Sequence, residues 1–232
     1  MTPAEVTVRK FRQARAREML CGDTLPGPTA ADRWQLLELA IAHLGPETPV
    51  TLLEFGVAKG KSLAVMARRF VNERSRFIGF DSFEGLPEDW DVIHQKIVKG
   101  TFSTGGAVPR IADSRVSFVR GWFQNTVSDF LKEFRSETAG TILVHYDADL
   151  YSSTLFLLTG IWHFLPAYYF IMDDFSHDEI IALHDFTMAY PVRIEWLAKR
   201  LNPHGMPVQM FGKMQRTELQ IPQPDRQSAA GA

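Results

Sequence analysis

From residue 50 onward the chain alternates short apolar runs with longer stretches of helical periodicity, and nothing else in it restricts the fold as much. The runs are Val50–Phe55, Arg76–Phe80, Val116–Val119, Thr141–Tyr146 and Tyr168–Met172. Helical stretches follow at 61–73, 124–136, 150–164 and 178–190. Short, nearly continuous apolar runs are strands buried on both faces, and helices between them give βαβ units and a parallel sheet. Upstream, residues 4–20 read as a basic, weakly amphipathic helix and Cys21 to Thr29 as a Gly/Pro-rich loop. A second helix, roughly 30–44, starts near Thr29 and stops at Gly45-Pro46. Downstream, Pro207–Met214 and Thr217–Ile221 read as an antiparallel hairpin, and residues from Gln223 on as a disordered end. The stretch 84–113, with six glycines or prolines, reads as loop with room for one helix.

Ligands of open α/β sheets bind at the carboxyl ends of the strands, near the point where strand order reverses. The first strand ends in Glu54-Phe55-Gly56-Val57-Ala58-Lys59-Gly60-Lys61-Ser62, and the second in Asp81-Ser82-Phe83-Glu84-Gly85. The third ends in Arg120-Gly121-Trp122-Phe123, the fourth in Asp147-Ala148-Asp149 and the fifth in Asp173-Asp174-Phe175. Gly56 and Gly60 permit a tight strand-to-helix turn and close approach of a ligand to backbone. Asp81, 25 residues after Gly56, is placed to accept both hydroxyls of a ribose. The G-x-x-x-G spacing completes neither the dinucleotide fingerprint nor the P-loop. Glu54 would repel a pyrophosphate and attract the ammonium and sulfonium of S-adenosylmethionine. A cationic nucleoside cofactor is therefore favoured, with Glu54, Gly56, Gly60 and Asp81 as candidate binding residues and Ser62 and Ser82 beside them.

Asp147 and the pair Asp173-Asp174 end adjacent strands. Carboxylates converging on one edge are costly unless a proton or cation neutralises them, and hard oxygen ligands suit Mg²⁺ or Mn²⁺. Such an ion would lower the pKa of a chelated hydroxyl and prepare an oxyanion for attack on a methyl group. Asp149, ahead of Leu150-Tyr151-Ser152-Ser153, reads as a helix N-cap, and Asp174 could cap the next helical segment. His145 reads as a core histidine, His177 as a loop residue above the site, and Lys61 as a solvated first-turn residue. Trp122-Phe123 either stacks on adenine or packs in the core. Arg9, Lys10, Arg12, Arg15 and Arg17 give the first helix a solvated basic face, or a lid or dimer contact.

Composition removes several other classes. Lys+Arg total 25 and Asp+Glu 27, so no nucleic-acid partner is expected. The single cysteine, Cys21, excludes an intrachain disulfide, and no Cys/His spacing suggests zinc. No run of 18 apolar residues occurs and residues 1–20 lack a signal-peptide core, so no membrane partner and a cytoplasmic setting are expected.

The strings LEFGVAKGKSL, FIGFDSFEGLPEDW, GTFSTGG, VRGWFQNTV, HYDADLYSST and IMDDF together resemble the signature segments of the macrocin-type O-methyltransferases and their broader relatives. These are class I S-adenosylmethionine-dependent enzymes, and the resemblance covers roughly residues 50–186. It implies a Rossmann-like, mostly parallel seven-stranded sheet with helices on both faces, the hairpin at 207–221 supplying the last two strands. It implies Mg²⁺ held by Asp147, Asp173 and Asp174, with Asp147 also the candidate general base. Glu54, Gly56 and Asp81 would contact the cofactor, and Gly121 and Trp122 would end the strand near the adenine. Residues 1–45 would then be N-terminal helices, 46–222 the methyltransferase domain and 223–232 a disordered tail. The expected activity is methylation of a hydroxyl on a small molecule of sugar or natural-product type, by a chain that could form a homodimer. Two rivals stay open: a metal-dependent glycosyltransferase using Asp-x-Asp at 147–149, and a non-catalytic S-adenosylmethionine-binding protein. A haloacid-dehalogenase-type phosphatase fits less well, because Tyr151 stands where its motif needs Thr.

Overall fold

The computed structural model describes residues 2–22, 24–92, 95–134 and 140–217. The N-terminal part comprises α1 (Pro3–Cys21), β1 (Thr29–Ala30) and α2 (Arg33–Leu44). Then come β2 (Val50–Phe55), α3 (Lys61–Arg69), β3 (Arg76–Asp81), β4 (Trp90–Val92), β5 (Gln95–Ile97) and β6 (Val116–Arg120). The remainder is α4 (Phe123–Glu133), β7 (Thr141–Tyr146), α5 (Tyr151–Trp162), β8 (Ala167–Met172), α6 (Asp178–Ala189), β9 (Val192–Leu201) and β10 (Pro207–Arg216).

All six residues of β2 are buried, as a strand covered on both faces requires. Side chains alternate across it. Leu53 and Phe55 join the core under α4, α5 and α6, where Leu157, Ile161, Trp162 and Phe186 pack. Val50 and Leu52 join the core under α2 and α3, with Leu36, Leu37, Leu63 and Met66. The sheet order is β1-β9-β10-β8-β7-β2-β3-β6. Strands β6, β3, β2, β7 and β8 run parallel, and β10 is antiparallel to both β8 and β9. Strand order reverses between β2 and β7, which puts a crevice at their carboxyl ends.

Three expectations about elements need correction. The C-terminal hairpin joins β9 to β10 through a turn held by the Asn202 side chain, which accepts from the amides of His204 and Met206. The first arm is therefore Val192–Leu201 rather than Thr217–Ile221 lying beyond the second; Thr217 is outside any strand and 218–221 fall outside the described residues, as does the tail from Gln223. β9 escapes an apolar-run reading because Arg193, Glu195, Lys199 and Arg200 interrupt it. Residues 29–30 form an eighth strand, parallel to β9, and α2 starts only at Arg33 with the Asp32 carboxylate accepting from Gln35 N at 2.8 Å. In the 84–113 stretch the described residues form no helix; β4 and β5 pair as a ribbon whose Trp90 packs with Leu86 and Leu150.

Helix α1 starts with a capping box between Thr2 and Glu5 and buries only Gln13, Ala16 and Cys21. Its seat on α6 is mainly polar. Arg9 pairs with Asp178, Arg12 Nη2 lies 2.6 Å from Asp185 Oδ2, and Gln13 donates to the His177 carbonyl. Among the described residues no helix is long and apolar enough to cross a membrane.

Candidate active site

At the reversal point the ends of β2 and β7 nearly touch. Asp147 N donates to Phe55 O at 2.9 Å, and Gly56 N donates to Phe80 O at 3.0 Å. Gly56 has φ +93°, and a Cβ there would come within 1.8 Å of the Asp147 carbonyl oxygen. Only glycine fits both the conformation and the approach. The following turn is fixed by Asp81, whose Oδ2 accepts from Val57 N and Ala58 N at 2.8 Å each and whose Oδ1 accepts from Phe83 N at 2.7 Å. A carboxylate oxygen has two acceptor sites, so Asp81 keeps capacity for a ligand.

A cavity of about 430 Å³ opens above these ends. One side is lined by Gly56, Asp81, Ser82, Gly121 and Trp122. The other carries Asp147, Asp149, Asp173 and Asp174, with Arg33, Arg200 and Gln209 beside them. Gly60 instead packs against Pro109 and Ile111, and Glu54 and Ser62 lie buried away from the lining. Phe123 packs edge-on against Phe55, and His177 against Trp90.

Glu54 stands opposite His145 in the β2–β7 register, both without solvent exposure. Ser62 donates to Glu54 Oε1 at 3.0 Å, and Glu54 Oε2 lies 3.0 Å from His145 Nδ1. The other ring nitrogen of His145 is 3.6 Å from Asp173 Oδ1. Burial opposes charge on His145, but Asp173 and Glu54 outweigh it and push its pKa up to about 10. His145 is thus a core histidine, as expected, and one that bridges the carboxylates of Glu54 and Asp173.

The aspartates behave differently from one another. Burial and then the charge of Asp173 push Asp147 up to about 8, against the pull of His145 and Arg33. Burial and neighbouring Asp174 push Asp149 up to about 10, and burial also raises Asp174. Asp173 goes the other way: burial resists, but His145, Arg33 and Gln209 hold it below the usual carboxylate range. Behind them Glu179 is fully buried and raised, first by burial and then by Asp174; its Oε2 accepts from Asp174 N at 3.1 Å.

The N-cap readings of Asp149 and Asp174 are overturned. The cap of α5 is Leu150 and that of α6 is His177, neither with a side-chain cap bond. Asp149 has φ +60°, a left-handed conformation that ends β7's loop one residue before the cap. Sequence reasoning also missed Arg33, which approaches Asp147 and Asp173, and Arg200, which donates through Nε to Gln209 Oε1 at 2.6 Å. Gln209 in turn donates to Asp173 Oδ1. The one available signal was the set of charges interrupting β9.

The donors suit a divalent cation. One oxygen each from Asp147, Asp149 and Asp174 lies within 4.8 Å of the others; a ring nitrogen of His145 lies as close to Asp147 and Asp173, but offers no lone pair while it holds its proton. His145 Nε2 and Glu179 Oε1 are buried without a hydrogen-bond partner among the described residues. Carboxylate oxygens dominate, as Mg²⁺ or Mn²⁺ prefers.

Residues 53–206 match a family described as a methyltransferase domain. Among solved structures the chain is similar to the O-methyltransferase NovP at 20% identity and a TM-score of 0.52, covering 79% of this chain and 77% of that one. It is also similar to an O-methyltransferase from Bacillus cereus in complex with SAH, at 14% identity and a TM-score of 0.51, covering 93% and 92%. Both likenesses are of fold, the Rossmann-like architecture. No curated protein matches the sequence.

Proposed function

The chain belongs to the methyltransferase-domain family, and from that premise we propose that it transfers the methyl group of S-adenosylmethionine to a hydroxyl of a small molecule, assisted by Mg²⁺. The observation that carries this reading is that one cavity is lined both by a ribose-ready carboxylate, Asp81, and, across from it, by the Asp147–Asp173–Asp174 cluster. Asp81, Ser82, Gly121 and Trp122 would hold the nucleoside, and the carboxylates beyond them favour a sulfonium by charge. When bound, the cofactor supplies an electrophilic methyl on a sulfonium that leaves as a neutral thioether.

Asp147, Asp173 and Asp174 would hold Mg²⁺, which lowers the pKa of a coordinated hydroxyl. Asp147, at the end of β7 beside the acceptor's place, would be the group that takes the proton of the hydroxyl. Gln209 and His145 fix Asp173 from behind, so that its other oxygen faces the cavity. Positioning and electrostatics then supply the acceleration, because in-line methyl transfer needs no covalent help from the protein.

Calorimetric titration with S-adenosylmethionine, S-adenosylhomocysteine and a nucleotide sugar tests the reading. Binding of the first two and not the third is expected; the opposite pattern would favour the Asp-x-Asp glycosyltransferase. Methyl transfer to a panel of hydroxyl compounds then separates an enzyme from a cofactor-binding protein.

A further inference from the structure

Arg33 Nη2 lies 3.4 Å from Asp147 Oδ2 and 3.3 Å from Asp173 Oδ2. One guanidinium nitrogen thus sits between two carboxylate oxygens that face the same cavity. We propose that Arg33 is the resident counter-ion of this seat, and that a divalent cation enters only by displacing it. This rests on the metal-assisted reading above.

Two carboxylates directed at one point repel each other unless a cation stands between them. Arg33 supplies that cation from outside the parallel sheet. It is the first residue of α2, three positions after β1, whose pairing beside Arg200 carries the chain across to this edge. The same contacts keep the arginine charged: burial opposes the charge, but Asp173 and Asp147 outweigh it. A divalent ion held at roughly 2.0–2.6 Å by these two oxygens would stand against the place where Arg33 Nη2 now lies, and two positive charges so close repel, so the ion and the guanidinium do not share the seat.

The arginine is also built to leave. Its side chain is 39% exposed, and its guanidinium carbon already lies 5.3 Å from the centre of the Trp34 ring. Trp34 is exposed as well and offers a cation–π resting place once the carboxylates are released. Backbone movement is unnecessary, because Asp32 caps α2 and the Gln35 side chain accepts from Ala31 N at 2.6 Å, anchoring both residues before Arg33. His145 contrasts with it in being wholly buried. The seat is therefore neutralised at all times, by a swinging side chain when the ion is away and by the ion when it is present.

The test is calorimetry of MnCl₂ binding to the full chain at pH 8, with Arg33→Ala and Arg33→Lys beside the parent. Arg33→Ala is expected to bind Mn²⁺ on the order of ten-fold more tightly, since a competing charge is gone. Arg33→Lys, which keeps the charge without the fork, should fall between and covers the case that the alanine variant does not fold. Guanidinium chloride at sub-denaturing concentration should weaken Mn²⁺ binding to Arg33→Ala more than the same concentration of NaCl does, which a merely long-range charge effect would not produce. Mn²⁺ affinity no higher in either variant than in the parent, or equal effects of the two salts, would overturn the proposal. Absence of Mn²⁺ binding in every form would overturn it too, while retained S-adenosylmethionine binding in those same samples would leave the methyltransferase reading standing.

Discussion

Glu54 Oε2 and His145 Nδ1 lie 3.0 Å apart on facing positions of β2 and β7, both excluded from solvent. The pair is tied on one side to Ser62 in α3 and on the other to Asp173 at the cavity. A buried imidazolium is tolerated only where carboxylates flank it, as Glu54 and Asp173 do here.

Stability should therefore fall as pH rises. The folded chain keeps a proton on His145 up to about pH 10, whereas the unfolded chain releases it near the ordinary histidine value of about 6.5. That contribution is complete below about pH 6.5 and is lost as pH rises through about 10. Asp147, raised to about 8, has the same sign, since the folded chain again binds its proton more tightly than the unfolded one. Melting temperature measured in EDTA is expected to drop steadily from about pH 6.5 to about 9.5. Replacing His145 with Gln should flatten the slope above pH 8; an unchanged slope would assign the effect to other groups.

Gly56 is expected to tolerate no side chain. A methyl at φ +93° would sit 1.8 Å from the Asp147 carbonyl oxygen and force the ends of β2 and β7 apart. Gly56→Ala should cost about 3 kcal/mol or more by denaturant titration. A loss below about 1 kcal/mol would mean that the two strand ends part easily.

The central strands were legible because burial on both faces leaves a plain apolar run, as in Val50–Phe55 and Thr141–Tyr146. Asp147, Asp173 and Asp174 could be grouped from sequence because parallel neighbours deliver their carboxyl ends to one edge. β9 was not legible. It lies between β10 and the two-residue β1, and its charged residues, the cavity-lining Arg200 among them, break the run. Arg33 was hidden for a related reason, since nothing near it in sequence tells that β1 joins β9 and carries it to Asp147 and Asp173. Glu54 was picked out as a charge beside the glycine turn, but its partner His145 follows only from strand register.

Asp81 is expected to serve both the turn and the nucleoside. Its carboxylate already accepts from three backbone amides, so Asp81→Ala removes turn support as well as any bonds to ribose hydroxyls. The loss in S-adenosylmethionine affinity should be on the order of 2–4 kcal/mol. Asp81→Asn, which keeps one acceptor oxygen, should lose less. If Asp81→Ala bound the cofactor as the parent does, the ribose would have to be held elsewhere.

The carboxylate cluster should separate metal chemistry from cofactor binding. Asp147, Asp173 and Asp174 lie at the ends of β7 and β8, whereas Asp81, Gly121 and Trp122 end β3 and β6 on the other side of β2. EDTA should therefore abolish methyl transfer and leave S-adenosylmethionine binding largely intact. Asp173→Asn removes one negative ligand, so excess Mg²⁺ should partly restore its rate. Asp147→Asn loses the proton acceptor together with a ligand charge, and excess Mg²⁺ should not rescue it. In the Mg²⁺-loaded parent the rate should rise at a pH below about 8, the value of the metal-free Asp147 carboxyl, because a cation favours the charged form. Full activity in EDTA with Asp147→Asn still inactive would point to general-base transfer without metal. Full activity under both conditions would take the cluster out of the reaction and leave Asp173 and Asp174 with a structural task, as partners of Gln209 and Glu179.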